Sequence, residues 1–144
     1  MADTRLGDSR LDTLVRAAEE ATLESYAPYS RFRVGAALLC SDGAIVTGVN
    51  VENRSYGLTI CAERTAIAAA VTSGRRSFAA IAVYSPDAEY PIPPCGACRQ
   101  VIGEFMDPEA IVVFADRTGR RERRTVGEIL PFDSLHELRD RETQ

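Results

Sequence analysis

Three cysteines and one glutamate have the types and spacing to do chemistry: Cys61-Ala62-Glu63 and, further along, Pro94-Cys95-Gly96-Ala97-Cys98. A Cys with a Glu two residues on, followed by Pro-Cys-x-x-Cys, reads as a Zn²⁺ site with one coordination position left open. Zinc takes four ligands, and three thiolates leave one place for water, whereas a structural site is closed by a fourth protein ligand. A carboxylate beside that water can shuttle protons. Such a set is equipped for hydrolysing an amine off a nucleobase.

The elements that must position these residues are legible from periodicity. Leu11, Leu14, Val15 and Ala18 share one face of a first helix, which Ser9 is expected to cap and which ends before Pro28. Apolar runs over 34–40 and 44–51 flank Ser41-Asp42-Gly43 and predict a β-hairpin. The alanine-rich stretch Cys61 to Thr72 predicts a helix stopped at Gly74, and Phe78 to Tyr84 a buried strand. Cys95 to Phe105 predicts another helix, Ile111 to Ala115 a further strand, and 121–125 a last one, after which Thr125 caps a short helix. This order predicts an α/β fold: one domain over 1–144, a three-layer α/β/α sandwich on a mixed five-stranded sheet.

Placement adds to the cysteine signal. Cys61 opens one helix, and Cys95 and Cys98 are expected in the first turn of the next. Helix N-termini stabilise thiolates and lower their pKa. Three thiolates on Zn²⁺ leave a core of charge −1, so a cation is needed to withdraw charge. Arg64, next to Glu63, is the first candidate and Arg99 the second.

Composition excludes several classes. The chain has 144 residues, is 45% hydrophobic and carries a net charge of −4, which gives no general attraction to nucleic acid or anionic membranes. No apolar run reaches the ~20 residues of a membrane span, and the N-terminus does not read as a signal peptide, so a cytoplasmic protein is expected. There, four cysteines point to metal rather than disulfides. The chain has no Lys, which removes Schiff-base and Walker-type phosphate chemistry. A His-rich metal site is impossible with one His, His136.

Blander readings hold elsewhere. Cys40 ends a core strand, His136 is a solvated or interface residue, and Arg120, Arg121, Arg123 and Arg124, with Glu122 among them, form a solvated turn or subunit contact. On composition alone Phe32 and Tyr29 are core aromatics, and Asn50 and Glu52 are polar residues ending a hairpin strand.

The chain resembles the short, homotetrameric cytidine deaminases. The likeness runs through Tyr26-Ala-Pro-Tyr-Ser30, Phe32-Arg-Val-Gly-Ala-Ala37, Asn50-Val-Glu-Asn53, the segment Tyr56 to Thr65, and Pro94-Cys-Gly-Ala-Cys-Arg-Gln100. It covers roughly residues 10 to 131. The resemblance implies Cys61, Cys95 and Cys98 as zinc ligands, Glu63 as proton shuttle and Arg64 as the group that neutralises the thiolates. It implies Asn50 and Glu52 on the ribose hydroxyls and Phe32 stacked on the pyrimidine. It also implies a homotetramer with one Zn²⁺ per subunit, acting on cytidine and 2′-deoxycytidine in pyrimidine salvage, with no nucleic-acid or membrane partner. The family's C-terminal aromatic lid has no clear counterpart, because Phe132 follows Leu130-Pro131 at a shorter spacing than usual. The competing readings are a deaminase of a nucleoside such as blasticidin S and a nucleic-acid-editing zinc module.

Overall fold

A computed structural model describes residues 6–138. Helix α1 (Asp8–Ala21) leads to a hairpin of β1 (Gly35–Cys40) and β2 (Ile45–Val49). Then come α2 (Ala62–Thr72), β3 (Phe78–Ser85), α3 (Gly96–Phe105), β4 (Ile111–Asp116), β5 (Arg121–Thr125) and the short helix α4 (Val126–Ile129). The strands form one mixed sheet in the order β2-β1-β3-β4-β5. β3 and β4 run parallel, and the other neighbours run antiparallel. A parallel pair needs a crossover, and α3 supplies it.

Period-two alternation builds the layers. Ala37 and Leu39 of β1, Ala80 and Ala82 of β3, and Ile111 and Val113 of β4 face α1, where Leu11, Leu14 and Ala18 cover them. Their neighbours Leu38, Ile81, Val83, Val112 and Phe114 face the other side, against Ile67 and Ala70 of α2 and Ile102 of α3. Helices on both faces of the sheet make the expected three layers. Cys40 lies in this second core layer, and burial pushes its thiol up.

Three element starts differ from expectation. Gly7, not Ser9, is the N-cap of α1, and its carbonyl accepts from Arg10 N and Leu11 N. Gly is tolerated at this position, so the helix begins two residues earlier and Ser9 lies within it. Cys61 and Cys95 are likewise caps rather than first-turn residues, each with extended backbone just outside its helix. The hairpin turns where expected, with Gly43 at φ 90° and Asp42 Oδ1 accepting from Ala44 N. Thr125 caps α4 in a capping box with Glu128.

Two glycines set how closely the helices sit. A Cβ on Gly48 would lie 2.3 Å from Ala66 N and 2.6 Å from Ala62 O, and one on Gly35 would lie 2.0 Å from Ala18 O. Backbone cannot yield as a side-chain tip can, so α2 rests directly on β2 only because residue 48 has no side chain. Thr65 Oγ1 reaches Val49 O at 2.7 Å and tightens the same contact. The parallel strands end beside the N-termini of α2 and α3, the edge at which open α/β sheets bind ligands.

Gly48→Val is therefore expected to destabilise the fold by at least ~1–3 kcal/mol through overpacking. Gly57→Ala, where an added Cβ meets nothing within 4 Å, should stay within about 0.5 kcal/mol. Urea unfolding of both variants checks the contrast.

Candidate active site

The N-termini of α2 and α3 bring three sulfurs together. Cys61 and Cys95 cap the two helices, and Cys98 follows one turn into α3, where its backbone N–H donates to Cys95 Sγ at 3.5 Å. Cys61 Sγ and Cys95 Sγ are 3.8 Å apart, and all three sulfurs lie within 4.8 Å of one another. A tetrahedral ion with Zn–S bonds near 2.3 Å separates its sulfurs by about 3.8 Å, so the cluster already has the size that zinc requires. Among the described residues this is the one such group of His, Cys, Asp or Glu side chains, and all four cysteines are free thiols.

The electrostatics fit a cation too. A hydrogen bond from the Cys98 thiol, with help from Arg64 and Cys95, holds Cys61 down to about 5 against the opposing effect of burial. Cys98 is pushed up by the Cys61 thiolate first, then by burial and by Glu63. Alone, the crowded thiols concentrate one negative charge at Cys61; a divalent ion would let all three ionise. Arg64 Nη2 donates to Cys61 Sγ at 3.4 Å, and its guanidinium is held firmly protonated by that sulfur. Arg64 Nε is buried without a hydrogen-bond partner. Arg99, the second candidate cation, instead donates to Pro94 O and Ile129 O and ties the start of α3 to the end of α4.

Glu63 is 4% exposed, and burial raises its carboxyl pKa. It lines a cavity of about 190 Å³ together with Cys61, Cys95, Phe32 and Asn50. Val83, Ser85 and Ala115 at the ends of β3 and β4 form the floor, and Ile92 and Pro93 form the wall that leads to Cys95. Sequence reasoning had no signal for these apolar lining residues, because a strand end reads the same whether it meets a core or a cavity.

A further part of the lining is the irregular segment 32–34, whose backbone is held by one main-chain bond, Asn50 N to Val34 O at 3.2 Å, and otherwise by side chains. Asn50 Nδ2 donates to Phe32 O at 2.8 Å, Asn50 Oδ1 accepts from Val34 N at 3.0 Å and from Ser25 Oγ, and Ser30 Oγ accepts from Phe32 N at 3.0 Å. Arg31, just before, has φ 57°, uncommon for a non-glycine residue. Glu52 is outside the cavity lining: its carboxylate accepts from Tyr29 N, Ser30 N and Ser30 Oγ and caps that turn, and the Ser30 hydroxyl first of all lowers its pKa. The structure thus gathers Cys61, Cys95, Glu63, Phe32 and Asn50 around one cavity, with the buried Cys98 completing the sulfur cluster outside its lining. It sets Arg64 beside the Cys61 sulfur and leaves Glu52 supporting the neighbouring turn. Ser25 and Ser30 were missed, since a serine in a loop carries no periodic signature.

The remaining residues lie elsewhere. Phe132 is 92% exposed and, with His136, lines a separate groove beside α4. His136 Nδ1 lies 2.9 Å from Asp133 O. The basic residues around β5 are paired: Arg120 with Asp116, Arg121 with Asp8 and Asp12, Arg124 with Glu122, and Arg123 with Leu6 O. Among the described residues no helix is long and apolar enough to cross a membrane.

Comparison with known proteins agrees with this site. The family described as "Cytidine and deoxycytidylate deaminase zinc-binding region" matches residues 8–115. Cytidine deaminase of Halalkalibacterium halodurans is 50% identical over 118 residues, 82% of this chain and 89% of the relative. The crystal structure of cytidine deaminase from Burkholderia pseudomallei superimposes with a TM-score of 0.80 at 48% identity, covering 83% of this chain and 95% of that one. Blasticidin-S deaminase of Bacillus cereus is more distant, 31% identical over 110 residues, 72% of this chain and 77% of the relative. With a zinc-sized cysteine triad capping two helices, a buried glutamate beside it and these likenesses over most of its length, the chain belongs to the cytidine and deoxycytidylate deaminase zinc-binding family.

Proposed function

We propose that this chain hydrolyses cytidine and 2′-deoxycytidine to uridine and 2′-deoxyuridine with release of ammonia. The observation that carries the reading is the buried carboxylate of Glu63 in the same small cavity as Cys61 and Cys95, within a triad of the size zinc requires. Cys61, Cys95 and Cys98 would hold Zn²⁺, which when bound supplies Lewis-acid activation of the attacking water.

Glu63 carries the proton traffic. Its carboxylate takes a proton from the attacking water and passes it to N3 of the cytosine ring as the water oxygen adds to C4. It then takes the remaining proton from the hydroxyl now on C4 and delivers it to the amine, so that the C4–N bond breaks as the C4=O bond forms and ammonia leaves. Burial has raised its proton affinity, which suits a group that must both accept and return a proton. Arg64 offsets the excess negative charge of three thiolates. Phe32 offers its ring to the pyrimidine face. Asn50 gives one amide N–H to Phe32 O and keeps the other for a ribose hydroxyl, and Glu52 retains acceptor capacity for a second.

A homotetramer with one zinc per subunit accompanies this reading. Exposed Leu23, Tyr56 and Leu58 give the surface apolar area for such contacts. A single domain over 1–144, a cytoplasmic location and a place in pyrimidine salvage complete it; four free thiols suit a reducing compartment. Blasticidin S is the alternative nucleoside substrate. A nucleic-acid editor is disfavoured, because the net charge is −4 and the arginines around β5 are paired.

Loss of cytidine absorbance, measured with wild type beside Glu63→Gln, tests the reading. Glu63→Gln should retain zinc and lose at least about 10²-fold in kcat; near-normal turnover would remove Glu63 from its role. Arg64→Ala should weaken zinc retention about 10- to 100-fold in a chelator competition. Parallel assays with blasticidin S and single-stranded DNA decide between the substrates.

A further inference from the structure

The cavity has two walls from distant parts of the chain, and one ion pair spans them. On one side is Arg33, between Phe32 and Val34; on the other is Asp87, in the connection from β3 that carries Ile92, Pro93 and Cys95. Asp87 Oδ2 accepts from Arg33 N at 2.9 Å and from Arg33 Nε at 3.0 Å, and Asp87 Oδ1 accepts from Arg33 Nη2 at 2.9 Å. The guanidinium contact is bidentate, and the same carboxylate also holds the backbone. Asp87 N donates in turn to Ser85 Oγ, and Ser85 is a buried floor residue of the cavity. The far side of the connection is braced independently, by Arg117 on Glu89 and Arg120 on Glu89 O.

Segment 32–34 lies just before β1, and one main-chain bond, Asn50 N to Val34 O at 3.2 Å, continues the β1–β2 pairing into it. Its Phe32 N–H, Phe32 C=O and Val34 N–H are held by Ser30 and Asn50, which come from the same side of the cavity. The Arg33 N–H reaches across to Asp87, two residues before Gly35 pairs with Tyr84 in the β1–β3 ladder. We propose that Arg33 and Asp87 act as a positioning strut that sets the spacing between the Phe32 wall and the Ile92–Cys95 wall, and so sets affinity for the nucleoside. The strut rests on the nucleoside reading above and makes no contact with the reacting atoms. A wider gap would loosen the grip of Phe32 on the base without displacing Glu63 or the sulfurs.

The test is a double-mutant cycle in the full-length zinc enzyme. Asp87→Ala should raise KM for cytidine about fivefold, with kcat within about twofold and zinc content unchanged. Arg33→Ala keeps the backbone bond and should raise KM by less, and its effect should vanish in the Asp87→Ala background. Asp87→Asn, which retains an acceptor, should restore part of the loss. Asp42→Ala removes a comparable ion pair with Arg75 at the opposite end of β1 and should leave KM unchanged.

Amide hydrogen exchange over 31–34 is read on the same proteins without substrate and should accelerate in Asp87→Ala. Unchanged KM in both strut variants, or additive effects, would overturn the strut. If Asp87→Ala does not fold, Arg33→Ala decides by the same KM criterion. A wild type inactive on cytidine refutes the nucleoside reading instead, and unaccelerated exchange over 31–34 then overturns the strut on its own.

Discussion

Three sulfurs held within 4.8 Å of one another cannot all carry charge without a cation among them. The rest of the molecule is arranged around that constraint. In the protein alone the strain shows as a split: the Cys61 thiol is held far down while Cys98 is pushed up beside it. Two helix N-termini and Arg64 offset part of the repulsion. A divalent ion removes it, and affinity for metal is in this sense built by packing before any metal arrives.

That packing is backbone against backbone. Helix α2 can bring Cys61 and Glu63 to the strand ends because Gly48 lets it lie on β2, and α1 closes the opposite face over Gly35 in the same way. Helix α3 is the crossover of the parallel β3–β4 pair, so its N-terminus must emerge at the carboxyl ends of those strands. Cys95 and Cys98 therefore meet Cys61 as a consequence of topology. Burial of Glu63 follows from the same approach of the two helices and raises its proton affinity.

The Phe32 side of the cavity is built on a different principle. Segment 32–34 keeps one main-chain bond, Asn50 N to Val34 O, and the side chains of Ser30, Asn50 and Asp87 add the others one bond at a time. Such a wall can be tuned by single polar substitutions, whereas the metal side is braced by main chain. The sulfur cluster and the Phe32 segment are thereby held by separate sets of contacts.

Sequence alone determined the reactive groups and the elements that carry them. Zinc chemistry demands Cys and Glu at short fixed spacings, and a helix start next to Cys61 or Cys95 is a local event readable from Pro94 and from the alanines after Cys61. Layer assignment was legible for the same reason, since period two and period 3.6 mark buried faces directly. Asn50 and Glu52 became candidates only through likeness to a family, because a polar residue ending a strand has no chemistry of its own until a partner is in place. Tertiary structure decided the strand order, the distance between the sulfurs, and the partnership of Arg33 with Asp87, 54 residues away. Those depend on contacts between distant segments, whose separation in space follows from how helices and sheet close-pack and leaves no periodic trace along the chain.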